Sequence, residues 1–115
     1  MVVQKFGGTS VADPDAIHRL IQIVGTARSR DGRGPAVVVS AMSGVTDALL
    51  AIAAASGAGR ADEALTRIDG LRERHLAAAR ALAPAEADGT LGVQIRSQFD
   101  DLDALARALA VLRYV

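Results

Sequence analysis

The sequence predicts an α/β fold of parallel strands with crossover helices, followed by a helical hairpin. Two short apolar runs, Val2 to Phe6 and Ala36 to Ser40, each end in a loop of glycine, small and hydroxyl residues. Each loop leads into a stretch whose apolar residues recur at helical spacing, and this strand-loop-helix alternation generates a parallel sheet. After "SGAGR" the strands stop and two longer helical patterns follow.

Val2 to Phe6 is short and β-favouring, and Gly7-Gly8-Thr9-Ser10 breaks it. Asp13 followed by Pro14 is an N-cap and first-turn pair. Ile17, Leu20, Ile21 and Val24 then fall at i, i+3, i+4 and i+7, on one face of a helix that fades near "RSRDGRG". Ala36-Val37-Val38-Val39-Ser40 follows Pro35 as a continuous apolar run, the pattern of a strand covered on both faces. "AMSGVTD" reads as a loop and Ala48 to Ala55 as a helix, with Thr46 or Asp47 as its N-cap. Leu65, Ile68, Leu71, Leu76, Ala79 and Leu82 define the next helix, and Ile95, Phe99, Leu102, Leu105, Leu109 and Leu112 the last. "PAEADGTLG" between them is rich in breakers, and Gly70 weakens the first of the pair.

Composition narrows the function. The chain has 115 residues, half of them apolar, which suffices for one small folded domain. Thirteen basic residues balance thirteen acidic ones, so no long-range positive field points to nucleic acid or to a membrane surface. Cysteine is absent, which removes disulfides, thiolate metal sites and cysteine nucleophiles. Gln4 and Lys5 interrupt the first apolar residues, too early for a signal peptide, and no run approaches a membrane span. These features predict a soluble intracellular protein. His18 and His75 lack metal-ligand spacing and read as surface or boundary residues. The cluster Arg28, Arg30 and Arg33 is diluted by Asp31 and glycines and reads as a solvated linker.

The two loops carry the chemistry. A loop leaving the carboxyl end of a parallel strand is where α/β sheets bind ligands, because helix N-termini there present free N–H groups. Gly7 and Gly8 allow close backbone approach and conformations closed to other residues, while Thr9 and Ser10 offer hydroxyls. Lys5 can set a cation on phosphoryl oxygens. The alternative stays open on spacing alone: a tight turn after a strand, with a solvated edge lysine. The stretch matches neither GxxxxGK[ST] nor GxGxxG. The second loop, from Ser40 to Asp47, repeats the logic, and its alternative is an ordinary strand-to-helix turn.

"KFGGTSVAD" at residues 5 to 13, with "VVVSAMSGVTDALL" at 37 to 50, resembles the N-terminal signature of the aspartate kinases, within the amino-acid kinase superfamily. In looser form the resemblance covers the whole chain. It implies that residues 1–115 are the N-terminal portion of an incomplete amino-acid kinase domain of three-layer fold, without ACT regulatory domains. It also implies cytoplasmic, Mg2+-assisted transfer of a phosphoryl group from ATP to the side-chain carboxylate of L-aspartate. The product is 4-phospho-L-aspartate, at the entry to lysine, threonine and methionine biosynthesis. The full-length chain is expected to be a homo-oligomer that binds neither nucleic acid nor membrane.

Carried over by position, Lys5 is the phosphate-contacting catalytic lysine, Gly7 and Gly8 the glycine loop, and Ser10 the nearby hydroxyl. Ser40, Gly44 and Thr46 match the substrate-side loop, with Thr46 the best candidate for aspartate contact; Asp47 is weakly diagnostic and reads first as a cap. The chain offers no recognisable Mg2+ ligand set. The family's substrate-binding glutamate and arginine and its nucleotide-base pocket have no counterpart before Val115. The fragment alone is therefore expected to be inactive. Two convincing strands are few for a covered parallel sheet, and "LAVLRYV" runs apolar to the end, so truncation is expected, with Tyr114 and Val115 leading into further core. The competing readings are a non-catalytic truncated or oligomerising fragment, and another amino-acid kinase acting on glutamate, carbamate or uridylate. The wording "KFGGTSV" argues against the last.

Overall fold

The computed structural model describes residues 2–112 and divides into two compact units, one ending at Gly44 and one beginning at Val45. The expectations for Tyr114 and Val115 lie outside the described residues.

In the first unit, β1 (Val3–Phe6) runs into a 3-10 turn at Gly8–Val11, then α1 (Pro14–Asp31) and β2 (Ala36–Val39). The strands pair in parallel, Val3 with Ala36 through Phe6 with Val39, as the β-α-β reading requires. Asp13 caps α1: its Oδ1 accepts from the Ala16 N–H at 2.8 Å, and Pro14 opens the first turn, where its missing N–H costs no hydrogen bond. Val11, Ala16 and Ala27 are this unit's buried apolar residues among those described. Ile17, Leu20 and Val24 on the predicted face of α1 are only half-buried, and Ile21 is exposed. A hollow of about 470 Å³ separates Gln4 on β1 from Ile23, Ala27 and Arg30 on α1, and the Gln4 side-chain oxygen is buried there without a hydrogen-bond partner.

The expectation that β2 is covered on both faces fails. Val37, Val38 and Val39 are 40%, 50% and 56% exposed, because among the described residues only β1 joins β2 in a sheet. Two strands of four residues have too few neighbours to bury the valines on either face.

The second unit is all helix: α2 (Val45–Gly57), α3 (Ala61–Leu82), the short α4 (Pro84–Ala87) and α5 (Thr90–Leu112). The predicted hairpin is present as α3 against α5, but α2 packs on both, making a three-helix core. Helices α2 and α3 pack together, and Ile52 and Ala55 of α2 and the stripe Ala64, Ile68, Leu71, Leu76 and Ala79 of α3 are buried. On α5 the stripe read from spacing holds in the first half, where Ile95, Phe99 and Leu102 are half-buried, and gives way to alanine in the second. Ala106 and Ala110 are buried, while Leu105, Leu109 and Leu112 are exposed, because alanine permits closer helix approach than leucine. Gly92 lies where α5 passes α4, and a Cβ there would stand 2.0 Å from the Ala87 carbonyl oxygen.

Polar contacts clip the long helices. Arg72 of α3 reaches Asp69 on its own helix and Asp100 and Asp103 of α5, the latter two at 3.2 and 3.7 Å. The His75 Nδ1 donates to the Leu71 carbonyl at 2.7 Å, and its ring tilts against Phe99 with centroids 5.1 Å apart, so it is a boundary residue as expected. At the start of α3, the Arg60 guanidinium 2.6 Å from Glu63 holds that carboxyl below the usual range, with Arg67 contributing from the other side.

Two predictions follow from this uneven core. In hydrogen exchange of the 115-residue chain, amides of α2, α3 and α5 exchange at least ~100-fold more slowly than those of β1, β2 and α1. Equal protection would contradict the packing described. Gly92→Ala lowers stability in denaturant unfolding by about 1–3 kcal/mol, since the backbones of α4 and α5 must separate to admit one methyl group.

Candidate functional site

Parallel pairing places the carboxyl ends of β1 and β2 side by side. The Ser40 N–H donates to the Phe6 carbonyl at 3.1 Å, so Ser40 starts the second loop directly beside Gly7, which starts the first. The structure thus brings Lys5, Gly7, Gly8, Ser10 and Ser40 to one sheet edge within one unit. Gly44 ends that unit, and Thr46 belongs to the other, where it is exposed in the first turn of α2.

Lys5 is exposed and pairs in register with Val38. Gln4 and Phe6 are the half-buried positions of β1 and Val3 and Lys5 the exposed ones, so strand alternation turns Lys5 to the face opposite α1. Gly7 is extended (φ −79°, ψ −177°), and Gly8 opens the 3-10 turn, in which the Ser10 N–H bonds to the Gly7 carbonyl at 3.0 Å. The N–H groups of Gly8 and Thr9 precede that first bond and have no acceptor inside the turn. Val11, 4% exposed, anchors the turn from below.

The sequence reading gave Gly7 and Gly8 conformations closed to other residues, and the structure corrects it. Neither has a positive φ, and a Cβ at either would meet no atom within 4 Å. Backbone geometry and packing within the chain would both tolerate a side chain there. What glycine provides at these positions is empty space over the loop. Gly44 differs: its φ of 81° is left-handed, and it turns the chain into α2.

The cap expectation is also corrected. Helix α2 begins at Val45, three residues before the predicted Ala48, so Thr46 and Asp47 lie inside its first turn. The buried Val45, 5% exposed, pins that start, and the Asp47 carboxylate still lies where a helix dipole favours negative charge. Met42 is half-buried in the second loop.

Sequence reasoning missed Arg19. It lines a cavity of about 260 Å³ with Thr9 and Ser10, walled by Phe6, Leu20 and Ile23. Its place on the flank of the amphipathic pattern was the only signal. Among the described residues no three of His, Cys, Asp and Glu stand close enough together to hold a metal ion, and no helix is long and apolar enough to cross a membrane.

A family model described as the amino acid kinase family matches residues 1–111. The chain is 51% identical over 53 residues to an aspartokinase of Thermus thermophilus, covering 46% of this chain and 13% of that protein. It is 47% identical over 53 residues to an aspartokinase of Mycobacterium tuberculosis, covering 46% and 12%. It is 33% identical over 111 residues to the lysine-sensitive aspartokinase 3 of Escherichia coli, covering 96% of this chain and 22% of that protein. The chain thus spans less than a quarter of each of these relatives.

The glycines can be separated by stability. Gly7→Ala and Gly8→Ala leave the unfolding free energy unchanged or raise it by about 0.4–1 kcal/mol, because neither conformation excludes alanine. Gly44→Ala lowers it by about 1–2 kcal/mol. Chemical denaturation of the three variants checks the contrast.

Proposed function

The chain belongs to the amino acid kinase family, and we propose that it is the phosphate-binding part of an aspartate kinase. The observation that carries this reading is the side-by-side exit of two loops of small and hydroxyl residues from the carboxyl ends of paired parallel strands, closed by the Ser40 N–H to Phe6 carbonyl bond. Open space over Gly7 and Gly8, which other glycines of the chain share, leaves room there for a phosphoryl group.

In the proposed reaction a side-chain carboxylate oxygen of L-aspartate attacks the γ-phosphorus of ATP. The bond from that phosphorus to the β,γ-bridging oxygen breaks, releasing ADP and leaving 4-phospho-L-aspartate. Charge on the transferred group and on the leaving oxygen is stabilised by positioned donors and cations rather than by covalent chemistry. Lys5 supplies the cation from its face of β1. The Gly8 and Thr9 N–H groups and the hydroxyls of Ser10 and Ser40 supply donors. Gly44 shapes the second loop, and Thr46 contacts aspartate. Kinases of this type use Mg2+ with the nucleotide. Hydroxyls and one lysine do not themselves make a Mg2+ site, so the metal would come with the nucleotide's own phosphates.

Under this reading the two strands belong to a larger three-layer domain, and the exposed valines of β2 are covered there. The 115 residues alone then bind phosphate without turnover. The reaction is cytoplasmic and opens the route to lysine, threonine and methionine.

In a polypeptide carrying the whole kinase domain, Lys5→Ala lowers aspartate-dependent ATP turnover by about 10²-fold or more, while thermal unfolding of the 115-residue chain, in which Lys5 is exposed, stays unchanged. Turnover equal to wild type would overturn the assignment.

A further inference from the structure

We propose that Arg19 is a second phosphate-binding cation, reaching the first loop from the α1 side while Lys5 reaches it from the other. The inference rests on the phosphate-binding reading and adds to it a residue that neither motif contains. The geometry has three parts. Arg19 stands between two hollows: it lines the larger one beside Gln4, and it lines the cavity of about 260 Å³ with the two hydroxyl residues of the loop, Thr9 and Ser10, and the apolar Phe6, Leu20 and Ile23. Phe6 lies on the half-buried face of β1 and Lys5 on the exposed one, so a cation at this cavity and a cation at Lys5 approach the loop from opposite faces of the strand. Arg19 also lacks a partner: among the described residues it makes no ion pair or side-chain hydrogen bond, although Asp15 stands one turn earlier on α1, at the spacing that favours such pairs.

The chemistry favours such an arrangement. A polyphosphate carries several negative charges, and one lysine neutralises only one of them. Guanidinium presents a planar fork of donors that fits two phosphoryl oxygens at once, and its stem can lie along an apolar wall while its head meets the ligand. The ligand class is a polyphosphate chain, recognised by charge and oxygen geometry, with hydroxyl donors at Thr9 and Ser10 completing the contact.

The test is a titration of the 115-residue chain with inorganic tripolyphosphate at low ionic strength, followed by amide and arginine side-chain NMR. The expected result has five parts. Amides from Gly7 to Ser10 shift on addition, the Nε–H signal of Arg19 shifts with them, and Arg19→Gln weakens the apparent affinity about tenfold. Arg19→Lys recovers part of the loss, and Arg28→Gln, on the same helix, changes affinity less than about twofold. If the loop amides shift but Arg19→Gln binds as wild type, or its Nε–H does not move, the Arg19 assignment falls and the phosphate reading stands. Equal losses for Arg19→Gln and Arg28→Gln would likewise overturn it, showing only general attraction by positive charge. If the loop amides do not shift at all, the phosphate reading falls and the Arg19 assignment with it. The Nε–H measurement uses the wild-type chain, so the outcome does not depend on a variant's folding.

Discussion

Parallel pairing of β1 with β2, from Val3 with Ala36 to Phe6 with Val39, is the constraint on which the candidate site depends. Each strand offers only four residues to the ladder, yet the register fixes what lies beyond it. With Phe6 opposite Val39, Gly7 and Ser40 must emerge together, and the Ser40 N–H to Phe6 carbonyl bond closes that edge. Shifting β1 by one residue would turn Lys5 onto the face now held by Gln4 and Phe6, because side chains alternate along a strand. The same shift would part the two loops. An antiparallel arrangement would send them to opposite ends of the sheet. Loop chemistry at this edge is therefore a consequence of backbone geometry before it is a matter of side chains.

The two units hold themselves together by different means. From Val45 onward, branched and alanine side chains interlock across three helices, with Ile68 fully buried and Arg72 tying α3 to α5. Burial of one such aliphatic side chain is worth about 1.5–3 kcal/mol, whereas a half-exposed ion pair adds about 1 kcal/mol or less, so apolar packing dominates. The unit ending at Gly44 buries Val11 and two alanines and leaves a hollow between β1 and α1. The first loop, and the second as far as Gly44, thus belong to the less densely packed part of the chain. Binding regions are commonly drawn from that end of the stability range, since a ligand must replace contacts that the protein does not make for itself.

Much of this was legible in the sequence. The Asp13-Pro14 pair marked the start of α1, and the small-residue loops marked both strand ends within a residue or two. Periodicity located the buried stripe of α3, where Ile68, Leu71, Leu76 and Ala79 fall as read. It held on α5 as far as Leu102 and failed beyond, because a hydrophobic pattern ranks leucine above alanine, while close helix contact favours the smaller residue at 106 and 110. It failed also at the start of α2, where Val45 is buried and draws the helix back over Thr46 and Asp47. The run of valines in β2 reads as a covered strand, but coverage depends on partners that a local pattern does not encode. At the site, the residue types were legible and their reasons were not. Gly7 and Gly8 stood out as permissive backbone, whereas their φ values are ordinary and their contribution is room. Arg19, eleven residues beyond Gly8, carried no motif, and only the cavity it shares with Thr9 and Ser10 draws attention to it.

The central claim is that the shared carboxyl edge of β1 and β2 is a phosphate cradle. A crystal structure of the chain with a bound nucleoside triphosphate analogue tests it most directly. The account predicts phosphoryl oxygens over Gly7 and Gly8, within hydrogen-bonding distance of the Gly8 and Thr9 N–H groups, with the Lys5 ammonium and the Ser40 hydroxyl turned toward them. Triphosphate density anywhere else, with the space over Gly7 and Gly8 filled by solvent, would contradict it.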